Sequence, residues 1–90
     1  MIKLHNVKLS KEYFNDVACG DKKFEVRLND RDYKINDRLI LNEVILENNL
    51  PVYTGRSINT TITYILDNNN YLKDGYVILG IDVDNIILNS

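Results

Sequence analysis

From Gly20 to Lys34 the chain reads Gly-Asp-Lys-Lys-Phe-Glu-Val-Arg-Leu-Asn-Asp-Arg-Asp-Tyr-Lys. Seven charged side chains of mixed sign fall between Lys22 and Asp32. The segment also alternates. Lys23, Glu25 and Arg27 share one face; Phe24, Val26 and Leu28 share the other. A period of two is that of a strand with one apolar and one wet face. A strand needs only a polar outer face. A row of Lys, Glu and Arg running into Asn29-Asp30-Arg31 exceeds that need and suits a polar ligand.

Around this strand the pattern is mostly β. Ile, Leu, Val and Tyr dominate the apolar residues, which favours strands. Residues 2–8 form an expected first strand, with Ile2 and Leu4 on one face and Lys3, His5 and Val7 on the other. Ser10 is a good N-cap. Tyr13, Phe14, Val17 and Ala18 follow at helical spacing and form an apolar stripe. Gly20 is placed to end that helix in the left-handed conformation. The second strand is expected at about 23–28, with turns at Asn29–Asp32 and Lys34–Asp37.

Arg38–Leu46 reads as a long strand buried on much of both faces. Glu47–Leu50 is expected as a loop, with Pro51 in it, and Val52–Thr54 as a short strand ending at Gly55. Ser57–Leu66 alternates as another strand. Asn68-Asn69-Asn70 reads as a polar loop. Tyr76–Val83 is the last main strand, with Gly80 marking a bulge or a close backbone approach. Ile86–Leu88 is expected to add a terminal strand or to pack on a protein partner. The outcome is one α+β, mainly β domain over residues 1–90. It has five or six strands, one main helix between the first two, and a small mixed pseudo-barrel architecture that limits open sheet edges.

Composition narrows the function classes. The net charge of −2 argues against a large nonspecific DNA-binding surface. The charge is uneven. Residues 1–38 carry nine Lys/Arg against seven Asp/Glu, whereas residues 39–90 carry two against six. An anionic ligand is therefore expected on the N-terminal half, with Arg56 folded over it. The single Cys19 excludes an internal disulfide and a Cys-based zinc site. Lys3, His5, Asn6 and Lys8 interrupt the N-terminal apolar residues before signal-peptide or membrane length, so a cytoplasmic protein is the expectation.

Several candidate side chains emerge. Arg27 offers a planar fork for a phosphate or base edge, and Glu25 can accept an exocyclic amine. The two can equally pair with each other or across strands. Lys22 is a solvated lysine or, with Glu25, an acid/base pair. Tyr33 and Tyr53 lie beside basic loop residues and are candidates for base stacking, against simple packing at the barrel edge. Arg56, after the Thr54-Gly55 turn signal, is a candidate phosphate contact. His5, Glu43 and Asp30 have no diagnostic metal spacing, and His5 alone reads as a satisfied structural residue. No metal or cofactor is expected.

A set of residues then matches a known pattern. It comprises His5, Val7-Lys8, Tyr13-Phe14, Gly20-Asp-Lys22-Lys23-Phe24-Glu25-Val26-Arg27 and Asn29-Asp30-Arg31-Asp32. The turn before Asp37, Glu43, Tyr53-Thr54-Gly55-Arg56 and Tyr76–Ile81 complete it. From about His5 to Ile81 the chain resembles domain of unknown function 3850, a group of phages and bacteria. That group is similar to the ASCH domains of the PUA-like superfamily. The family usually has Gly where this chain has Asn36; Asn is the common substitute at a positive backbone angle.

The resemblance implies a PUA-like β-barrel with a cleft for RNA or a modified nucleoside, lined by the segment Gly20–Arg27. Related amidohydrolases acting on N4-acetylcytidine are similar at Gly20, Lys22 and Arg27. There the lysine acts on a threonine three residues later, and here that position is Glu25, a poor acyl acceptor.

The resulting expectation is a noncatalytic binding module for single-stranded RNA or a modified nucleotide. Its contacts are Lys22, Lys23, Glu25, Arg27, Asn29, Arg31, Tyr53 and Arg56. The alternatives are an amidohydrolase-like enzyme on a modified nucleoside, using Lys22 and Glu25, and an accessory protein that binds a protein partner. No membrane partner is expected.

Overall fold

The computed structural model describes residues 1–68 and 70–88; Asn69 of the expected polar loop lies outside the described residues. The element order is β1 (Leu4–Ser10), α1 (Lys11–Ala18), β2 (Phe24–Leu28), β3 (Arg38–Glu47), β4 (Leu50–Leu66) and β5 (Tyr76–Ile87). Five strands and one helix between the first two match the expected α+β, mainly β class. They form a single mixed sheet in the order β1-β3-β4-β5-β2. β1 lies parallel to β3, and the other neighbours are antiparallel.

β1 and β2 are therefore the two free edges, at opposite ends of the order. Yet Arg27 of β2 donates a hydrogen bond to the backbone carbonyl of Lys8 in β1 at 2.9 Å. Only a strongly curled sheet brings its ends that close. The sheet is not closed by backbone pairing. A seam remains between β1 and β2.

The core lies inside the curl. Val7 and Leu9 from β1, Leu39 and Leu41 from β3, Ile58 and Ile62 from β4, and Val77, Leu79 and Ile81 from β5 are buried together. α1 adds Phe14 and Val17. Tyr13, placed in the same stripe by its spacing, is instead exposed. Ser10 has the extended backbone of an N-cap but makes no side-chain cap bond. Gly20 follows with φ of 87°, the left-handed ending expected of it.

Several strands differ from the sequence reading. β3 is buried on one face only: Leu39, Leu41 and Glu43 point in, while Ile40, Asn42 and Val44 are partly covered. The expected loop at Glu47–Leu50 is a two-residue hairpin. Glu47 pairs with Leu50, and Asn48 and Asn49 both have positive φ (51° and 64°). Two such residues define the turn whose twist matches that of its strands.

Pro51 and Val52–Thr54 are then the start of one 17-residue strand, β4, which runs through Gly55 without a break. Gly55 (φ 94°) sits in a bulge where the pairing skips from Asn42↔Ser57 to Val44↔Tyr53. Ile86 and Ile87 do not form a separate strand. They continue β5 and pair with Ile58 and Ser57.

A second bulge, between Ile62 and Tyr64, lies opposite Gly80. It turns Tyr64 outward after the buried Ile58, Thr60 and Ile62. A Cβ at position 80 would stand 3.2 Å from Tyr64 Cβ and 3.3 Å from Thr63 Oγ1. The close approach expected of this glycine is present. Gly80→Ala should lower stability by about 1–2 kcal/mol through overpacking, read as a lower urea midpoint with an unchanged slope.

Candidate functional site

β2 is inverted relative to the ordinary rule for strands. Its apolar face, with Phe24, Val26 and Leu28 at 44%, 50% and 52% exposure, looks outward, and Glu25, only 3% exposed, looks in. The wet face of the sequence pattern is thus the inner face of an edge strand. The alternation correctly identified a strand and could not assign its sides. What turns the strand over is the charge network that the inner face completes.

Glu25 lies between two cations. Lys22 Nζ donates to Glu25 Oε2 at 2.6 Å and to the carbonyl of Phe24 at 2.7 Å. Arg27 Nη1 stands 3.6 Å from Glu25 Oε1, beyond a hydrogen bond. That oxygen keeps capacity for another donor. The same Arg27 nitrogen reaches across the seam to Lys8.

Burying one carboxylate here costs several kcal/mol of desolvation, which close ionic and hydrogen-bonded partners offset. Lys22 also lies 4.7 Å from the Phe24 ring centre and 5.4 Å from that of Tyr13, adding a cation–π component. These groups line a cleft of about 500 Å3 along the seam. Its β1 wall is Lys8–Ser10, its helix wall Tyr13, and its β2 wall Lys22 and Phe24–Arg27. A broader depression of about 740 Å3 beside α1 has only exposed charged groups, Lys11 and Glu12, and no comparable network.

The structure gathers part of the expected site and disperses the rest. Lys22, Glu25 and Arg27 converge in the cleft. Lys23 is exposed next to it, and its carbonyl accepts from the Ile81 amide at 3.0 Å. Asn29 is exposed, and its amide bonds the Gly75 carbonyl. Arg31 lines a smaller neighbouring cavity together with Arg27. Tyr53 is exposed on β4, opposite Val44 and outside the cleft lining.

Tyr33 is 6% exposed and packs edge-on against His5, with ring centres 4.9 Å apart. It packs in the interior rather than presenting an exposed ring. The aromatic rings that do line the cleft are Tyr13 and Phe24. Sequence reasoning assigned both to apolar faces, and only their adjacency to Lys22 hinted otherwise.

Arg56 is fully engaged elsewhere. Its Nε donates to Glu43 Oε1 at 2.8 Å and its Nη2 to Oε2 at 2.6 Å. Its guanidinium lies 4.2 Å from the Phe14 ring centre. Thr54 Oγ1 adds a bond to Glu43 at 2.6 Å. The bulge at Gly55 places Thr54 and Arg56 on either side of the inward Glu43. The Arg56 hydrogen bonds outweigh burial, with help from Thr54, and hold the Glu43 carboxyl below its usual value.

Asp37 is the second buried carboxylate clamp. Its Oδ2 accepts from His5 Nε2 at 2.8 Å and from the Lys34 amide, and Oδ1 accepts from the Lys3 amide. Burial opposes its ionisation, but the His5 bond and the two amides prevail, so its pKa is lowered. Asn36, with φ of 78°, makes the turn that delivers it. His5, Glu43 and Asp30 do not converge. His5 is bound to Asp37, Glu43 to Arg56, and Asp30 lies near Arg31.

The fold and cleft define a class: a small, mostly β protein with one short helix and a charged cleft at the seam of an unclosed sheet. The chain belongs to the family described as "Domain of unknown function (DUF3850)", whose model matches residues 4–81. It is 42% identical over 79 residues to the "Uncharacterized 12.9 kDa protein in GpA 3'region" of Escherichia phage P2, covering 88% of this chain and 68% of that protein. No helix among the described residues is long and apolar enough to cross a membrane.

Both depressed carboxyls confer stability that is complete above the ordinary carboxylate range, near pH 4, and is lost as pH falls through their lower folded values. Thermal melts across an acidic series should therefore fall steeply below about pH 4. Glu43→Gln should melt lower at neutral pH and lose less on acidification. A variant with the full acid slope would show that Glu43 contributes none of it.

Proposed function

We propose that this protein is a noncatalytic binding module for single-stranded RNA or a modified nucleotide, held in the seam cleft of an ASCH-like, PUA-like barrel. One observation carries the reading. An edge strand turns its apolar side to water in order to bury Glu25 between Lys22 and Arg27, with Glu25 Oε1 left unbonded beside an open cleft. Such an arrangement is costly, because a carboxylate is desolvated at an edge strand that could have buried apolar side chains instead.

The parts fit a base. Glu25 Oε1 can accept an exocyclic amine, as carboxylates do from cytosine N4. Tyr13 and Phe24 offer exposed rings for stacking, a sequence-tolerant contribution of about 1–3 kcal/mol per base. Lys22 and Arg27 supply positive charge, and Arg27 retains donors for a base edge or phosphate. Lys23 is exposed beside Lys22 and Phe24 of the lining, and Arg31 lines the neighbouring cavity that shares Arg27. Arg56 and Tyr53 are left out of the ligand set: the first anchors Glu43 to α1, and the second stands off the lining. The enzyme reading is weaker, because Lys22 is bonded to Glu25 rather than beside a threonine hydroxyl.

Fluorescence anisotropy of short single-stranded RNA across a salt series tests this. Wild type should bind at micromolar affinity, more weakly as salt rises. Arg27→Ala should abolish binding. Tyr13→Ala and Phe24→Ala, which remove only exposed rings, should each weaken it about tenfold. No binding by wild type at low salt, or unchanged binding by both ring variants, would overturn the proposal.

A further inference from the structure

Arg27 lines two cavities. Adjoining the seam cleft, and sharing Val26 and Arg27 with it, is a second cavity of about 270 Å3 bordered by Asp30, Arg31, Tyr33 and Tyr76. We propose that this smaller cavity is an anion subsite that takes the phosphate of a nucleotide whose base occupies the seam cleft. The inference rests on the base-binding reading of that cleft, and it names the ligand more narrowly: a phosphorylated nucleotide rather than a free nucleoside.

Four observations support it. Glu25 supplies one negative charge to two cations, so Arg27 is not neutralised by its own network. Tyr33, only 6% exposed, borders the same cavity as Arg27. Burial is the main influence on that phenol and raises its pKa, so the hydroxyl stays protonated and able to donate. Arg31 Nε stands 3.8 Å from Asp30 Oδ1, too far for a hydrogen bond, so its guanidinium donors remain available. The volume is ample for a phosphate group.

Asp30 is the carboxylate that borders the cavity and would repel an anion. Its side chain is more than half exposed, so water and salt screen that repulsion. Arg27 and Tyr33 are better buried than Asp30, so hydrogen bonds from them to an anion gain more. A guanidinium fork on either side of one phosphate is the geometry in which Arg outperforms Lys.

The test has two arms. Inorganic phosphate is titrated into 15N-labelled protein, and amide and arginine side-chain resonances are followed. Shifts centred on Arg27, Arg31 and Tyr33 are expected, weakened about tenfold in Arg31→Gln, an exposed substitution that leaves the core intact. Cytidine and adenosine are then compared with their 3′- and 5′-monophosphates. One monophosphate should bind about tenfold tighter than its nucleoside, and Arg31→Gln should erase that difference.

Equal affinity for nucleoside and monophosphate, or phosphate shifts that avoid the cavity, would overturn the subsite. The base-binding reading would then survive if the nucleosides still shift Tyr13, Phe24 and Glu25. Phosphate binding with no nucleoside binding would overturn the cleft reading and, with it, the nucleotide assignment.

Discussion

The two ends of the sheet are held together by charge. Neighbouring strands are joined by backbone pairing, whereas the hydrogen bond found between β1 and β2 among the described residues runs from Arg27 to the Lys8 carbonyl. That arginine is positioned by Glu25, and Glu25 by Lys22. The inverted orientation of β2 follows. An apolar inner face there would close the barrel with ordinary packing and leave no cleft. A charged inner face keeps the seam wet, keeps the edges a side chain apart, and exposes Phe24, Val26 and Leu28.

Two further buried carboxylates frame this seam. Glu43 collects Arg56 and Thr54 through the bulge at Gly55, and Arg56 in turn covers Phe14 on α1. Asp37 collects His5 and the amides of Lys3 and Lys34, fixing the start of β1 to the turn that precedes β3. In each case an acidic group is satisfied by several donors from separate segments. Glu25 Oε1 at the open cleft aside, no buried side-chain nitrogen or oxygen among the described residues lacks a partner. The protein thus uses polar clamps where a chain this short has limited apolar core.

Much of this was legible in the sequence, and the failures have physical causes. The strand at β2, the helix with Phe14 and Val17, the left-handed Gly20, the Asn36 turn and the close approach at Gly80 all follow from period or backbone chemistry. Which face of β2 points inward does not, because a period of two is symmetric under inversion and only tertiary contacts break the tie. The sequence of β4 predicts two strands because Gly55 and Pro51 are ordinary breakers. A bulge opposite Glu43 absorbs the first, and the edge of the hairpin tolerates the second.

For the candidate site, Lys22, Glu25 and Arg27 converge as their local spacing suggests. Arg56 was misplaced, since no local pattern reveals that its partner is Glu43, thirteen positions away. Tyr13 and Phe24 were hidden for the opposite reason. Their apolar character matched a core stripe so well that nothing marked them as lining a cleft.

The topology also sets an order of assembly. β3, β4 and β5 are consecutive antiparallel strands, the first two joined by a two-residue turn and the last two by residues 67–75. Both walls of the seam are instead long-range additions: β1 docks on β3 across an intervening helix and strand, and Val26 of β2 finds Ile78 of β5 far along the chain. Loop-closure entropy favours the local meander first. On this basis the seam is expected to be completed last as the chain folds. By the same accounting it is the first part to open in the native state, with the slowest amide exchange residing in β4.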